Sequence, residues 1–172
     1  YLDQLIQNNP NSLQASYAVY YKARWQESTQ AADSYAQFRY KFPGILDAYL
    51  FELEGDSRSD AGDYPGAILA YQSALATIPA GDSDSLNLKI GQSYLSSSNY
   101  TEAIRAFLAL YDSTQNDYTK ATANLLAGKA YIALGFPDQA YARFQDSVLN
   151  FPRSYDTYTG LVQLVNDGIP VD

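Results

Sequence analysis

The chain contains no cysteine and no histidine. The first absence removes disulfides, thiol nucleophiles and thiolate metal sites. The second removes imidazole ligands and every mechanism that turns on a His base. No apolar run approaches the ~18 residues that span a bilayer, and no stretch reads as a signal peptide. Lys and Arg form no run, and a formal charge of −8 over 172 residues repels nucleic acid and anionic lipid. Pro and Gly are too few for a low-complexity segment. The first residue is Tyr1 rather than Met, which we read as a processed product or a segment of a longer chain.

What is present is a folding chain. Apolar residues make up 47%, and the length suffices for one domain with a core or for a short solenoid. Tyr is abundant at 17, and Ser, Asn and Gln are common. Without cysteine, that composition fits an extracytoplasmic bacterial protein of the periplasm or cell surface.

The organising signal is a repeat. Ala31, Ala67, Ala103 and Ala140 are spaced by 36, 36 and 37 residues. Four residues after each comes an aromatic: Tyr35, Tyr71, Phe107 and Phe144. Twelve after come Pro43, Pro79 and Pro152, with Gln115 in the remaining copy; twelve before come Gly55, Gly91 and Gly128, with Val19 near that place in the first copy. Gly and Ala let two helices approach closely, large rings one turn along the same face fill the space between hairpins, and Pro ends a helix. One hairpin cannot bury its apolar face alone, so neighbours must stack.

This pattern resembles the tetratricopeptide repeat (TPR) and covers nearly the whole chain. It departs from that family in its longer period, through insertions such as Gly81–Asp82–Ser83, and in Arg58 standing where later copies have Tyr94 and Tyr131. Leu110 and Ser147 also stand where Ala74 predicts a small Ala. The fold expected is all-α: a right-handed superhelical solenoid of about four TPR-like hairpins in one domain, 1–172. Repeats are expected over 11–43, 44–81, 82–117 and 118–153, with 1–10 ending a preceding repeat and 154–172 opening a following one. Periodicity and stop signals predict helices near 12–24, 28–42, 45–61, 64–77, 84–97, 100–113, 118–134, 137–150 and 154–166. Asn11-Ser12-Leu13-Gln14 and Asn99-Tyr100-Thr101-Glu102 have capping-box spacing. Pro65 and Pro137 fall in first turns, and Gly62 and Gly135 are placed to end helices.

The stretch 56–67, "DSRSDAGDYPGA", invites a calcium reading. Counted from Asp56, an EF-hand would need oxygen at Arg58, glycine at Ala61 and glutamate at Ala67. It is therefore read as a helix end, a turn and a capped helix start, with Asp63 as the cap and no metal bound. Glu52, Asp56 and Asp60 share one helix face, as a solvated surface or a groove wall. Glu54 points elsewhere on the helix, with Arg58 at i+4 offering a weak pair worth ~0.3–0.5 kcal/mol.

Two fragments are similar to catalytic motifs of lytic transglycosylases: Glu27-Ser28 and Gly160-Leu161-Val162-Gln163. They lie more than a hundred residues apart, so no catalytic constellation and no cofactor is expected. The Tyr-rich, Cys-free repeats and the tail "SYDTYTGLVQLVNDGIPVD" nevertheless resemble the helical TPR-like region of the bacterial soluble enzymes. That resemblance implies a peptidoglycan-cleaving parent in the cell envelope, with this segment as its scaffold. The alternative is a free-standing TPR adaptor or lipoprotein in envelope assembly. In TPR arrays the first helix of each hairpin lines the concave face. The matching residues are Tyr20, Arg24, Tyr49, Glu52, Asp56, Leu88, Gln92, Leu125 and Lys129. They suit a protein, peptide or peptidoglycan-related partner, and equally a solvated curved wall. Chaperone-type members grip a peptide carboxylate with several basic residues. Only Arg24 and Lys129 are available here, which argues against an acidic C-terminal tail as ligand.

Overall fold

The computed structural model describes residues 1–10, 12–44, 46–78 and 83–170. Among them are ten α-helices and no strand. They fall into two compact units, Tyr1–Ala80 and Gly81–Asp172. The first unit holds α1 (Leu2–Asn8), α2 (Leu13–Ala23), α3 (Ser28–Lys41), α4 (Asp47–Asp60) and α5 (Tyr64–Leu75). The second holds α6 (Asp84–Ser96), α7 (Tyr100–Ser113), α8 (Asp117–Ala133), α9 (Pro137–Asn150) and α10 (Tyr155–Asn166). Within each unit every helix packs on the next in sequence, the signature of stacked hairpins.

Helix ends follow from local chemistry. Asp63 accepts a hydrogen bond from the Gly66 N–H at 3.0 Å, and Pro65 sits in the first turn of α5, where its missing N–H costs nothing. Pro137 opens α9 in the same way. Gly62 and Gly135 adopt φ of 80° and 81°, the left-handed geometry that closes α4 and α8. Two expected caps differ. The cap of α2 is Ser12, which accepts from the Ala15 N–H at 3.1 Å; Asn11 lies outside the described residues. Asn99 is the N-cap residue of α7, but its side chain makes no capping bond; its own N–H is taken by the Tyr94 carbonyl, and Glu102 pairs with Arg105 instead. Pro43 and Pro152 lie just past α3 and α9. Pro79 and the Gly81–Asp82 insertion lie outside the described residues.

The repeated small and aromatic residues meet across each hairpin. A Cβ added at Gly55 would stand 2.4 Å from Tyr71 Cε1, at Gly91 2.4 Å from Phe107 Cε1, and at Gly128 2.2 Å from Phe144 Cε1. Each glycine thus makes room for the ring sixteen residues later. Ala31, Ala67, Ala103 and Ala140 are buried with those rings. In the first unit Ala23, Ala31, Tyr35, Phe38 and Leu50 form one cluster, with Val19 packed against it. In the second unit one cluster gathers around Phe107 and Leu110, and another joins Leu125, Ala140, Phe144 and Leu164. Leu125 is therefore a core residue and not a groove liner. Gly160 also faces Phe144, at 3.2 Å from its ring, so its smallness serves packing.

Candidate functional site

The first unit gathers tyrosines. Tyr17, Tyr20, Tyr21 and Arg24 are spaced i, i+3, i+4, i+7 along α2 and its C-cap, one stripe of a helix. Tyr49 enters from the first turn of α4. The Tyr20 and Tyr49 hydroxyls share a hydrogen bond of 3.2 Å, with ring centroids 6.3 Å apart. Tyr21 meets Tyr20 edge-on at 5.4 Å, and Tyr35 lies 6.4 Å away beneath. The Arg24 guanidinium carbon stands 5.9 Å from the centre of the Tyr20 ring, a cation–π contact. The next residue, Trp25, is 88% exposed.

Two of these phenols, Tyr35 and Tyr49, are held in their protonated form. Burial, and then Tyr20 beside it, pushes Tyr35 upward. The hydrogen bond to Tyr20, and then burial, pushes Tyr49 upward. The cluster therefore presents hydroxyls that both donate and accept, beside one guanidinium group. Tyr20 is half-buried, whereas Tyr17, Tyr21, Arg24 and Tyr49 are exposed.

The other groove candidates have different surroundings. Asp56 accepts from the Tyr71 hydroxyl at 2.9 Å, so part of its capacity supports the ring that crosses Gly55. Glu52 is half-buried on the same helix, and Asp60 is exposed at its end. Gln92 and Lys129 are exposed on α6 and α8 of the other unit, while Leu88 is half-buried against the Phe107 cluster. The spacing 17, 20, 21, 24 was present in the sequence. Tyr17, Tyr21 and Trp25 lie outside the repeat register, which selects single positions, while Tyr35 enters it as a core aromatic.

Glu54 corrects the expectation of a weak i+4 pair. It is 6% exposed and lies between two guanidinium groups. Arg58 reaches Glu54 Oε1 through Nε at 2.9 Å, and Arg39 on α3 bonds Oε2. Arg58 also reaches Asp63 at 2.9 Å, so one chain of charges runs from α3 through α4 to the cap of α5. Arg39 stacks over the Phe51 ring at 3.8 Å. Breaking a buried pair of this kind costs about 3–5 kcal/mol. Arg58, which spoils the calcium spacing, thus works as a structural clamp.

A second polar knot explains Ser147. Asn124, fully buried on α8, donates to Asp146 at 2.7 Å and to Ser147 at 3.0 Å. Tyr111 donates to the same Asp146 oxygen at 2.8 Å. A serine replaces alanine there because the facing residue is polar and needs a partner.

Two clefts lie away from the tyrosines. One of about 450 Å³ lies among α1, α2 and α3, lined by Asp3, Lys22 and several glutamines. Another of about 370 Å³ is bounded by Tyr118, Phe151 and Arg153. Among the described residues no helix is long and apolar enough to cross a membrane, and no group of three or more acidic side chains could hold a metal ion.

No family model matches the chain, and no curated protein matches it. Among solved structures it is similar to the crystal structure of MamA protein, with a TM-score of 0.68 and 16% identity over 99% of this chain and 85% of that one. The fold is TPR-like. Identity at that level carries the helical-hairpin architecture alone. Glu27 is exposed just before α3 and Gly160 is packed on Phe144, so the two transglycosylase-like fragments belong to a turn and to a helix contact.

Proposed function

We propose that this chain is a non-catalytic protein-interaction scaffold whose ligand face is the tyrosine cluster of α2 and α4. The observation that carries this reading is the Tyr20–Tyr49 pair with Arg24 beside it. A protein that needed these rings only for packing would bury them, yet Tyr17, Tyr21 and Tyr49 are each about half exposed on rigid helices. Aromatic side chains supply large contact area at low entropic cost, which is why they dominate binding hot spots. Peptide display against the immobilised chain tests the reading. Enriched peptides should bind the native chain and lose at least tenfold in affinity to Tyr20→Ala, by titration calorimetry. Peptides indifferent to that change would refute it.

The finer reading places the segment as one repeat domain in the helical region of a peptidoglycan-cleaving envelope enzyme, outside the cytoplasm. Its support is compositional: abundant Tyr and no Cys. Sequencing the same gene tests it. A lysozyme-like domain carrying Glu-Ser and a nearby Gly-Leu-Met-Gln supports the enzyme parent, whereas further repeats or a lipidated cysteine favour the free-standing adaptor.

A further inference from the structure

We propose that α10 is a self-association surface: two copies of the chain pair antiparallel through this helix, about a two-fold axis level with Gly160. Tyr155, Tyr158, Val162 and Val165 form one stripe of α10 and are between 39% and 79% exposed. The internal repeat shows what such a face receives. One repeat earlier, Ala121, Leu125 and Gly128 stand at the places of Tyr158, Val162 and Val165. There α8 meets its hairpin partner: Leu125 packs with Ala140 and Phe144 of α9, and the Phe144 ring crosses Gly128. The matching face of α10 is therefore a face built to receive a helix.

Two features keep a second helix of the repeat's own kind off this face. Val165 places a branched side chain where Gly55, Gly91 and Gly128 leave room for an aromatic ring. The chain also leaves α10 on its other side. Gly168, at φ 70°, ends the helix three residues after Val165, whereas Gly135 ends α8 seven after Gly128. Ile169 then joins the Phe144 cluster, and Gln145 of α9 donates to the Pro170 carbonyl at 3.1 Å. What fits the stripe is a helix with a branched aliphatic residue opposite each tyrosine and a ring opposite each valine, because facing layers interdigitate when large meets small. α10 is itself such a helix. Its stripe is spaced by three, four and three residues, which reads the same in both directions. In an antiparallel pair Tyr155 faces Val165 of the second copy and Tyr158 faces Val162. That contact is isologous and closes on itself. Charge agrees. A chain of net charge −8 repels its own copies, and the stripe carries no charge. Asp156 is bonded to Thr122 of α8 and Asp167 to Tyr141 of α9, both off the stripe. One helix face a side is less than the ~800 Å² per partner of a standard interface, so the dimer is weak and depends on concentration.

Sedimentation velocity of the full chain, from micromolar to millimolar concentration, tests this. The native chain should pass from monomer to dimer and stop there. Tyr158→Glu and Val162→Glu should each weaken the dimer at least tenfold, while Tyr40→Glu, exposed on α3 of the other unit, leaves it unchanged. All three positions are exposed or partly so, and circular dichroism verifies the fold of each variant. Because the native chain has no cysteine, single-cysteine variants report the pairing. An equimolar mixture of Tyr158→Cys and Val162→Cys, mildly oxidised, should give the mixed 158–162 disulfide in excess over either homodisulfide, as read by mass spectrometry. A chain that stays monomeric at millimolar concentration overturns the inference. Association that persists in both Glu variants places the contact on another surface and overturns it too. Homodisulfides in place of the mixed one refute the antiparallel pair.

Discussion

Among single residues, the repeat glycines are constrained by the space opposite each of them, where an aromatic ring stands. Gly128 is the closest of the three, and the Phe144 side chain that meets it also stands against Gly160. The ring therefore has little freedom to yield when a side chain appears at 128. Overpacking of this kind costs ~1–3 kcal/mol, and Gly128→Leu should lie at the upper end. For a chain of this size that lowers the melting temperature by roughly 6–12 °C, read by circular dichroism. Gly128→Ala should cost less, and adding Phe144→Leu should return part of the loss because the smaller side chain vacates the contact. A Gly128→Ala variant that melts with the native chain would show that the ring moves freely. Glu54 makes the complementary point about charge. Its sequence neighbour Arg58 suggested a weak i+4 pair, and only the fold brings in Arg39 from fifteen residues away to bury it. A residue's neighbours along the helix were legible; its partner on another helix was not.

At the scale of the helix, the repeat extends into the stop signals. The backbone N–H of Asp63 bonds the Arg58 carbonyl at 2.8 Å, that of Asn99 bonds Tyr94 at 2.9 Å, and that of Phe136 bonds Tyr131 at 2.9 Å. Each is the six-to-one bond of a helix closed by a left-handed residue. That residue is Gly62, Ser98 and Gly135 in turn, with Ser98 at φ 59°. Left-handed geometry strains a residue with a Cβ by ~1–2 kcal/mol, part of which glycine forfeits again through its freedom in the unfolded chain. Ser98→Gly should therefore stabilise the protein by about 0.5–1 kcal/mol, seen as a higher urea midpoint at unchanged slope; a lower midpoint would refute it. Helix spans were legible within about two residues because period, proline and glycine are local signals. Ser98 was not, since nothing in "SSSN" marks a left-handed turn until the same bond is seen at its two neighbours. The candidate site was half legible. Repeat register pointed to Tyr20, Arg24 and Tyr49, which the fold brings together, while the tilted contact between the Tyr20 and Tyr49 rings depends on how α2 and α4 pack.

For the molecule as a whole, the missing residue types set the response to pH. With neither His nor Cys, no side chain has an ordinary titration between about pH 5 and 8, so stability should be flat there. The acid limb comes from carboxylates held below their usual range: Asp63 by the Gly66 N–H and then Arg58, and Asp3 by Lys22. A depressed carboxylate contributes stability that is present above its unfolded value and lost as pH falls through the folded one. The alkaline limb comes from tyrosines. Burial is the first cause that raises Tyr35, Tyr71, Tyr111 and Tyr141, and the hydrogen bond to Tyr20 is the first for Tyr49. A phenol raised in the folded state contributes stability that is fully present below its unfolded value near 10 and lost as pH rises toward the folded one. Tyr71 is shifted strongly, by burial and then by the Asp56 carboxylate that accepts its hydroxyl hydrogen. The second unit fills the equivalent position with Phe107 and Phe144. Tyr71→Phe should thus cost about 1 kcal/mol at pH 7, through the lost hydrogen bond, and should flatten the fall above pH 10. Urea midpoints measured from pH 3 to pH 11 on both proteins check this, and an alkaline limb unchanged in Tyr71→Phe would mean that the loss arises at the other tyrosines.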